Sequence, residues 1–186
     1  MSQLSIVSVT GNFQRPSKTR TLSLHVADAA AQAFGGRVDT FDLDDFGTSL
    51  ALARRFEDLD EQARRVAGAI LAADILVVGT PVYKGSYAGL FKHVFDLLGP
   101  FDLQGKPVIL TATGGSDRHA LIIEHQLRPL FGFFAAHTAP TGIYAVDRDF
   151  TDGQLNSSQV QARVNQAIAE LAPHVAHGAS QRQAAE

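Results

Sequence analysis

Ile75-Leu76-Val77-Val78-Gly79, running straight into Thr80-Pro81-Val82-Tyr83-Lys84-Gly85-Ser86-Tyr87, is the stretch on which the reading of this chain turns. A short unbroken apolar run bounded by Gly and Pro reads as a strand buried on both faces, the habit of a central strand in a parallel sheet. The segment that leaves it combines a rigid Pro, two aromatic residues, one cation and a Gly. In an open parallel sheet, ligands bind just beyond the carboxyl ends of the strands. The loop therefore suits a planar ring with polar edges: Pro81 fixes the path, backbone groups read the edge, and Tyr83 or Tyr87 covers a face. An ordinary strand-to-helix connection with two buried tyrosines is the competing reading. The loop alone does not separate them.

On either side of this stretch, strand and helix patterns alternate. Leu4 to Thr10 reads as a first strand, and a helix from Ser17 places Leu22, Val26, Ala30 and Ala33 on one face until Gly35-Gly36 stop it. Arg37 to Leu43 alternates polar and apolar residues, as a strand near an edge does. Asp44 to Phe56 is irregular. Leu59, Ala63, Val66, Ile70 and Leu71 stripe the helix before the Ile75 strand; Leu90, Phe91, Val94, Phe95 and Leu98 stripe the one after it, closed by Gly99-Pro100. Pro107 to Thr113 is a fourth strand, Ile123 to Phe134 a fourth helix, Thr141 to Val146 a fifth strand. A last helix starts near Ser157-Ser158 and runs through Leu171. Five strands separated by helices predict a parallel, doubly wound α/β sheet, because parallel strands need crossover connections. One domain is expected over residues 1–175, with a small, polar tail from Ala176 to Glu186 that is flexible or lies at a subunit contact.

Composition narrows the function. The 186 residues carry a net charge of −3, which gives no electrostatic case for nucleic acid or an anionic membrane surface. There is no cysteine, so disulfides, thiol catalysis and cysteine-ligated metal centres are excluded. The seven histidines show no H-E-x-x-H or other compact ligand spacing, and no metal site is expected. No basic segment followed by an apolar stretch stands near Met1, and no apolar run approaches membrane-spanning length; a cytoplasmic, soluble protein is expected.

Two further loops leave strand ends beside the Thr80 loop. The first, Thr10-Gly11-Asn12-Phe13-Gln14-Arg15-Pro16-Ser17-Lys18-Thr19-Arg20, has no acidic residue and ends at a helix N-terminus. Hydroxyls, amides, cations and a helix dipole are what a phosphate monoester needs. A plainly capped helix start with solvated Arg and Lys is the other reading, and Ser17 would cap in both. The P-loop and G-x-G-x-x-G patterns are missing, so a single terminal phosphate fits better than a pyrophosphate. The other loop, Thr113-Gly114-Gly115-Ser116, has paired glycines that let backbone approach a ligand or simply turn tightly. Ser116-Asp117-Arg118-His119 is too compact in sequence for a catalytic triad, and no G-x-S-x-G is present.

Taken together, these loops resemble the NAD(P)H-dependent FMN reductases of the flavodoxin-like group. In that family's G-S-x-R-x-x-S-x-[ST] loop, Gly11, Ser17 and Thr19 match, Asn12 replaces Ser, and Gln14 stands where Arg is usual, with Arg15 next to it. Thr80-Pro81-Val82-Tyr83 and Thr113-Gly114-Gly115 match the ring-binding loops. The likeness is strongest to reductases of alkanesulfonate and methanesulfonate systems, which share T-P-V-Y-K, A-T-G-G, a His at 119 and Arg128-Pro129. In those, the helix carries an inserted residue that forms a π-bulge at an oligomer interface, and His125 aligns with it; a plain solvated histidine is the alternative. Pro129 independently predicts a kink or break.

The resemblance implies a three-layer sandwich with strand order 2-1-3-4-5. It implies FMN and NADH or NADPH as partners in hydride transfer, with FMNH2 passed to a monooxygenase, and a homodimer or homotetramer. It implies no catalytic acid or base, with His125 as a candidate modulator. Thr10, Asn12, Arg15, Ser17, Lys18 and Thr19 would hold the phosphate; Pro81, Val82, Tyr83, Lys84, Gly85, Ser86, Thr113, Gly114 and Gly115 would frame the ring, with Lys84 at its pyrimidine side. A reductase that retains its FMN to reduce quinones or azo dyes, and a flavodoxin-type electron carrier, are the competing readings. Phe131 to Phe134 is either an oligomer surface or core.

Overall fold

Alternation of period-2 and period-3.6 hydrophobicity builds the sheet in the expected order. A computed structural model describes residues 3–185, with side chains through Ala176. Its strands β1 (Leu4–Thr10), β2 (Gly36–Asp42), β3 (Ile75–Pro81) and β4 (Pro107–Gly114) pair in parallel. The sequence β2-β1-β3-β4 is completed by β5 (His137–Thr138) and β6 (Ile143–Val146), both paired to β4. Helices α1 (Lys18–Phe34) and α5 (Ser158–Ala185) cover one face; α2 (Glu61–Ala72), α3 (Gly89–Asp96) and α4 (Arg128–Phe133) are associated with the other. The result is a three-layer, flavodoxin-like α/β sandwich.

Each element has a local cause. Ser17 caps α1 by accepting the Arg20 N–H, and Gly35, at φ +73, turns the chain into β2. Residues 75–80 of β3 are wholly buried, as the unbroken apolar run requires. Helix α3 turns Phe91 and Phe95 inward, and Phe95 stacks edge-on between Phe91 and Phe131 at 5.1 and 4.8 Å. Where α1 crosses β3, a Cβ on Gly79 would stand 2.1 Å from Ser23 Oγ. The close approach lets Ser23 bond Thr111 Oγ1 at 2.7 Å while Thr111 donates to the Val78 carbonyl. Glycine at 79 is what lets helix and sheet share that buried polar clamp.

The structure corrects the sequence reading in three places, at the second strand, the fifth strand and a hairpin, and it bears out the π-bulge that the resemblance implied around His125. Strand β2 begins one residue early and ends at Asp42, which caps a 3-10 turn over Leu43–Phe46. The strand read as Thr141 to Val146 starts two residues later, at Ile143, and is preceded by the unread strand β5; Ala139-Pro140-Thr141-Gly142 separates the two, and Pro140 has no N–H to give a ladder. Arg128 fastens this break through Thr138 Oγ1 and the carbonyls of Ala139 and Pro140. The fourth helix is a π-helical turn over Ile123–Leu127 followed by α4, with the Arg128 N–H reaching the Ile123 carbonyl five residues back. Pro129 sits at that junction. A short hairpin, β7 (Phe150–Thr151) and β8 (Gln154–Leu155), turns on Asp152-Gly153, both at positive φ; the Asp-Gly pair is its sequence signal. Of the phenylalanines from 131 to 134, Phe131 and Phe134 are core and Phe133 is exposed. Helix α5 continues to Ala185, through the segment read as a tail; the side chains of 177–186 lie outside the described residues.

Candidate functional site

Parallel pairing places the ends of β1, β3 and β4 side by side, and their loops are tied together at one residue. Thr113, at the end of β4, bonds Thr19 Oγ1 through its own hydroxyl at 2.6 Å. Its carbonyl accepts the Val82 N–H at 2.8 Å. The α1 start, the Thr80 loop and the Gly-Gly loop thus meet at Thr113. The Gly11 N–H adds a bond to the Gly79 carbonyl at 2.8 Å, locking the first loop against β3. The three sequence-separated motifs converge on one crevice at the carboxyl edge of the sheet.

The first loop is less cationic in space than in sequence. Asp42 has no exposed surface, and its carboxylate receives Arg15 at 2.7 and 2.9 Å, Arg20 at 3.3 Å and Asn12 Nδ2 at 3.2 Å. Asp45 takes Arg15 as well, at 2.6 Å. Burial alone would push the Asp42 carboxyl up; the hydrogen bonds and charge of Arg15, then Arg20 and Asn12, outweigh it and hold it below the usual range. The same bonds, to Asp42 first and Asp45 second, raise the Arg15 guanidinium. Lys18 pairs with Asp147 at 2.9 Å. Arg15 is thereby drawn to the end of β2, although the loop itself carries no acid. The missed residues are Asp42 and Asp45. A signal existed: in a parallel sheet the end of β2 lies beside the end of β1, and Thr10 pairs with Asp42.

Neutral donors remain for a phosphate. The N–H groups of Lys18 and Thr19, first in α1, have no intrahelical acceptor by helix geometry. Ser17 accepts the Arg20 N–H, which leaves its hydroxyl proton to donate. Thr19 is 2% exposed with its hydroxyl committed to Thr113, so its backbone rather than its side chain faces that role. Thr10 likewise donates to the Phe41 carbonyl. Asn12 is buried, and its Oδ1 has no hydrogen-bond partner among the described residues.

The Thr80 loop is a tight turn. Tyr83 and Ser86 exchange backbone hydrogen bonds at 2.9 and 3.1 Å, with Lys84 at φ +52 and Gly85 at φ +82 between them. Two consecutive left-handed residues make this a type I′ turn, unusual for a Lys and favourable for a Gly. The Val82, Tyr83 and Ser86 N–H groups are therefore already used, and those of Lys84 and Gly85 stand at the tip. Thr80 Oγ1 accepts the Ala88 N–H at 3.1 Å, fixing the loop to the start of α3. Ser86 Oγ donates to Gln126 Oε1 at 3.1 Å, which couples the loop to the π-helical turn. Tyr83 is half exposed; Tyr87 packs toward Phe91 instead.

Behind the Gly-Gly loop stands Tyr144 of β6. Its hydroxyl donates to the Ser116 carbonyl at 2.8 Å, and a Cβ on Gly114 would fall 2.2 Å from it. Burial first, and Asp117 second, push the Tyr144 phenol up, so it stays a donor. At Gly115 a Cβ would meet nothing within 4 Å. Glycine is thus demanded at 114 by Tyr144, while 115 faces open space. His125 is exposed on the π-helical turn. No group of three or more His, Asp or Glu among the described residues is placed to hold a metal.

A parallel sheet in this order, with free helix-start donors after β1 and two tight turns after β3 and β4, defines a flavodoxin-like fold with a candidate mononucleotide site. The residues fit FMN: helix-start donors for one phosphate, turn-tip N–H groups, and an open glycine edge. The chain belongs to the NADPH-dependent FMN reductase family, whose model matches residues 4–151. It is 41% identical over 170 residues to the NADH-dependent FMN reductase SfnF of Pseudomonas fluorescens, covering 91% of each chain. It is 39% identical over 172 residues to an FMN reductase (NADPH) of Pseudomonas aeruginosa, covering 92% of each. Among solved structures, an oxidoreductase from Corynebacterium diphtheriae superposes with a TM-score of 0.82 at 33% identity, over 94% of this chain and 98% of that one. The apo form of the NADH:FMN oxidoreductase EmoB gives 0.76 at 28%, over 91% and 88%.

Proposed function

We propose that this protein is an NAD(P)H-dependent FMN reductase that passes FMNH2 to a flavin-dependent monooxygenase in the use of sulfonate or sulfone sulfur. The observation that carries the reading is the junction at Thr113, where a phosphate-competent helix start and two ring-edge loops are held by direct hydrogen bonds. Bound FMN supplies the hydride-accepting ring, and the protein's part is to hold, orient and shield it. Ser17 and the first N–H groups of α1 bind the phosphate. The Lys84 and Gly85 N–H groups and the Gly114-Gly115 edge address the ring, with Lys84 near its pyrimidine side, where negative charge develops. Asn12, Thr10 and Thr19 support that cradle from behind; Arg15 contributes by clamping the loop to Asp42.

FMN as an exchangeable substrate fits a first loop whose cations are already paired with Asp42, Asp45 and Asp147. The similarity to reductases named SfnF supports the sulfur-linked monooxygenase partner, and the exposed Phe133 supports association of copies as a homodimer or homotetramer. Purification followed by NAD(P)H oxidation with and without added FMN tests the reading. Colourless protein that oxidises NAD(P)H only when FMN is added is the expected result. Yellow protein that reduces quinones without added FMN points to a flavin-retaining reductase, and no oxidation under any condition refutes reductase function.

A further inference from the structure

Cations on the two sides of the crevice are treated differently. Those of the first loop are paired with carboxylates, as described above. Across the crevice, Lys84 and Arg118 are exposed and make no ion pair with the described residues. Arg118 lies on the 3-10 turn Asp117–His119, and Asp117, the nearest acid in sequence, is occupied by a bidentate pair with Arg148 at 2.7 and 2.8 Å. Glu124, on the π-helical turn, is likewise taken by Arg128 and held below the usual carboxylate range.

Between these elements runs a groove of about 230 Å³, lined by Gly85, Arg118, His119, Leu121, His125 and Gln126 among others. Gly85 is the tip of the ring-edge turn, so the groove begins where the flavin cradle ends. Gln126 fixes one wall through Ser86. Its floor includes Leu121, which is 64% exposed, an apolar surface beside a cation and two imidazoles. No carboxylate lines it.

We infer that this groove binds the diphosphate and adjoining ribose of the reduced nicotinamide dinucleotide, with Arg118 as the main phosphate ligand. The volume is below the roughly 300–1,000 Å³ of pockets that enclose a drug-sized ligand, so it takes a part of the dinucleotide and leaves the nicotinamide to lie over the flavin cradle. A guanidinium free of any carboxylate gives two parallel N–H donors to a phosphate. His119 and His125 add ring donors along the wall, and Leu121 meets a sugar face. This places His125 on the dinucleotide rather than on the flavin. The inference rests on the reductase reading proposed above.

Calorimetric titration of the FMN-free protein with NAD+ separates the two claims, because it needs no turnover. Wild type is expected to bind NAD+. Arg118→Ala is expected to weaken that binding about tenfold, the usual scale of one charge-assisted hydrogen bond, while FMN affinity stays within twofold. In turnover with FMN, the KM for NAD(P)H rises about tenfold and kcat stays within twofold. Arg54→Ala, another exposed arginine outside the crevice, is expected to change neither value. Unchanged NAD+ affinity in Arg118→Ala, equal weakening in Arg54→Ala, or no NAD+ binding by wild type overturns the groove assignment. NAD+ binding that depends on Arg118 in a protein inactive with FMN upholds the groove and removes the reductase reading instead.

Discussion

Gly114→Ala tests how the Gly-Gly edge is built. A Cβ at 114 falls 2.2 Å from the Tyr144 hydroxyl and 3.2 Å from Cζ. An ordinary contact needs about 3.4 Å, so the hydroxyl must withdraw by about 3.4 − 2.2 = 1.2 Å. Its hydrogen bond to the Ser116 carbonyl is 2.8 Å long, and a displacement of that size stretches it toward 4 Å, beyond bonding distance. Losing the bond and leaving a half-buried phenol without its acceptor costs about 1–3 kcal/mol. In a chain of this size that corresponds to a fall in Tm of roughly 2–4 °C for each kcal/mol.

The same movement shifts Ser116 and the edge loop, so FMN affinity, read by quenching of flavin fluorescence, is expected to fall by about five- to tenfold or more. Tyr144→Phe removes the hydroxyl that the methyl strikes. In that background Gly114→Ala is expected to cost less than about 1 kcal/mol, leaving a coupling of roughly 1–2 kcal/mol in the double-mutant cycle. Additive single effects, or a Gly114→Ala protein with unaltered Tm and FMN affinity, refute the argument.

Three further outcomes follow from the same geometry. Because the Asp42 carboxyl is held below its unfolded value, its contribution to stability is present above about pH 4 and is lost as pH falls through the folded pKa. Asp42→Asn should flatten the acid limb of a stability–pH profile below about pH 4 and cost about 2–3 kcal/mol near neutrality, reduced from the fully buried case because Arg15 is half exposed; an unchanged acid limb by urea titration rejects the assignment. Phe95→Ala empties the centre of the Phe91–Phe95–Phe131 stack and is expected to destabilise by about 3–5 kcal/mol in urea unfolding, with a loss under 1 kcal/mol showing that the cluster is not core. Lys84→Ala is expected to weaken FMN binding or slow turnover severalfold, and a variant normal in both has no ring-side role at 84.

Elements with uniform local signals were legible from sequence. β1 runs over Leu4–Thr10 as read, Ser17 caps α1, and the apolar Ile75 run is the buried central strand. The paired motifs Thr-Pro-Val-Tyr and Thr-Gly-Gly were legible as strand-end loops because Gly and Pro mark such ends. The π-helical turn was legible only through the family resemblance at His125, since Ile123 and Leu127 keep ordinary helical spacing and the altered bond runs from Arg128 to Ile123. The two-residue strand β5 ahead of β6 was not legible, and Pro140 is the local mark of the gap between them. Its role depends on Arg128 reaching across to hold the interrupted segment.

What the sequence by itself determined is the alternation of strand and helix, and with it the parallel sheet and the crevice at its carboxyl edge. Hydrophobic period and turn chemistry are local properties that a chain carries wherever it folds. What only the tertiary structure decided is the electrostatics of that crevice. The first loop contains no acid, yet parallel pairing of β1 with β2 sets Thr10 beside Asp42 and spends Arg15 on a buried carboxylate. Lys84 and Arg118 stay exposed and, among the described residues, make no ion pair, and Asp117 beside Arg118 is drawn to Arg148 instead. Charge acts through space, and the partners that neutralise a cation lie 27 residues away for Arg15 and 129 for Lys18. No reading along the chain sees that distance close.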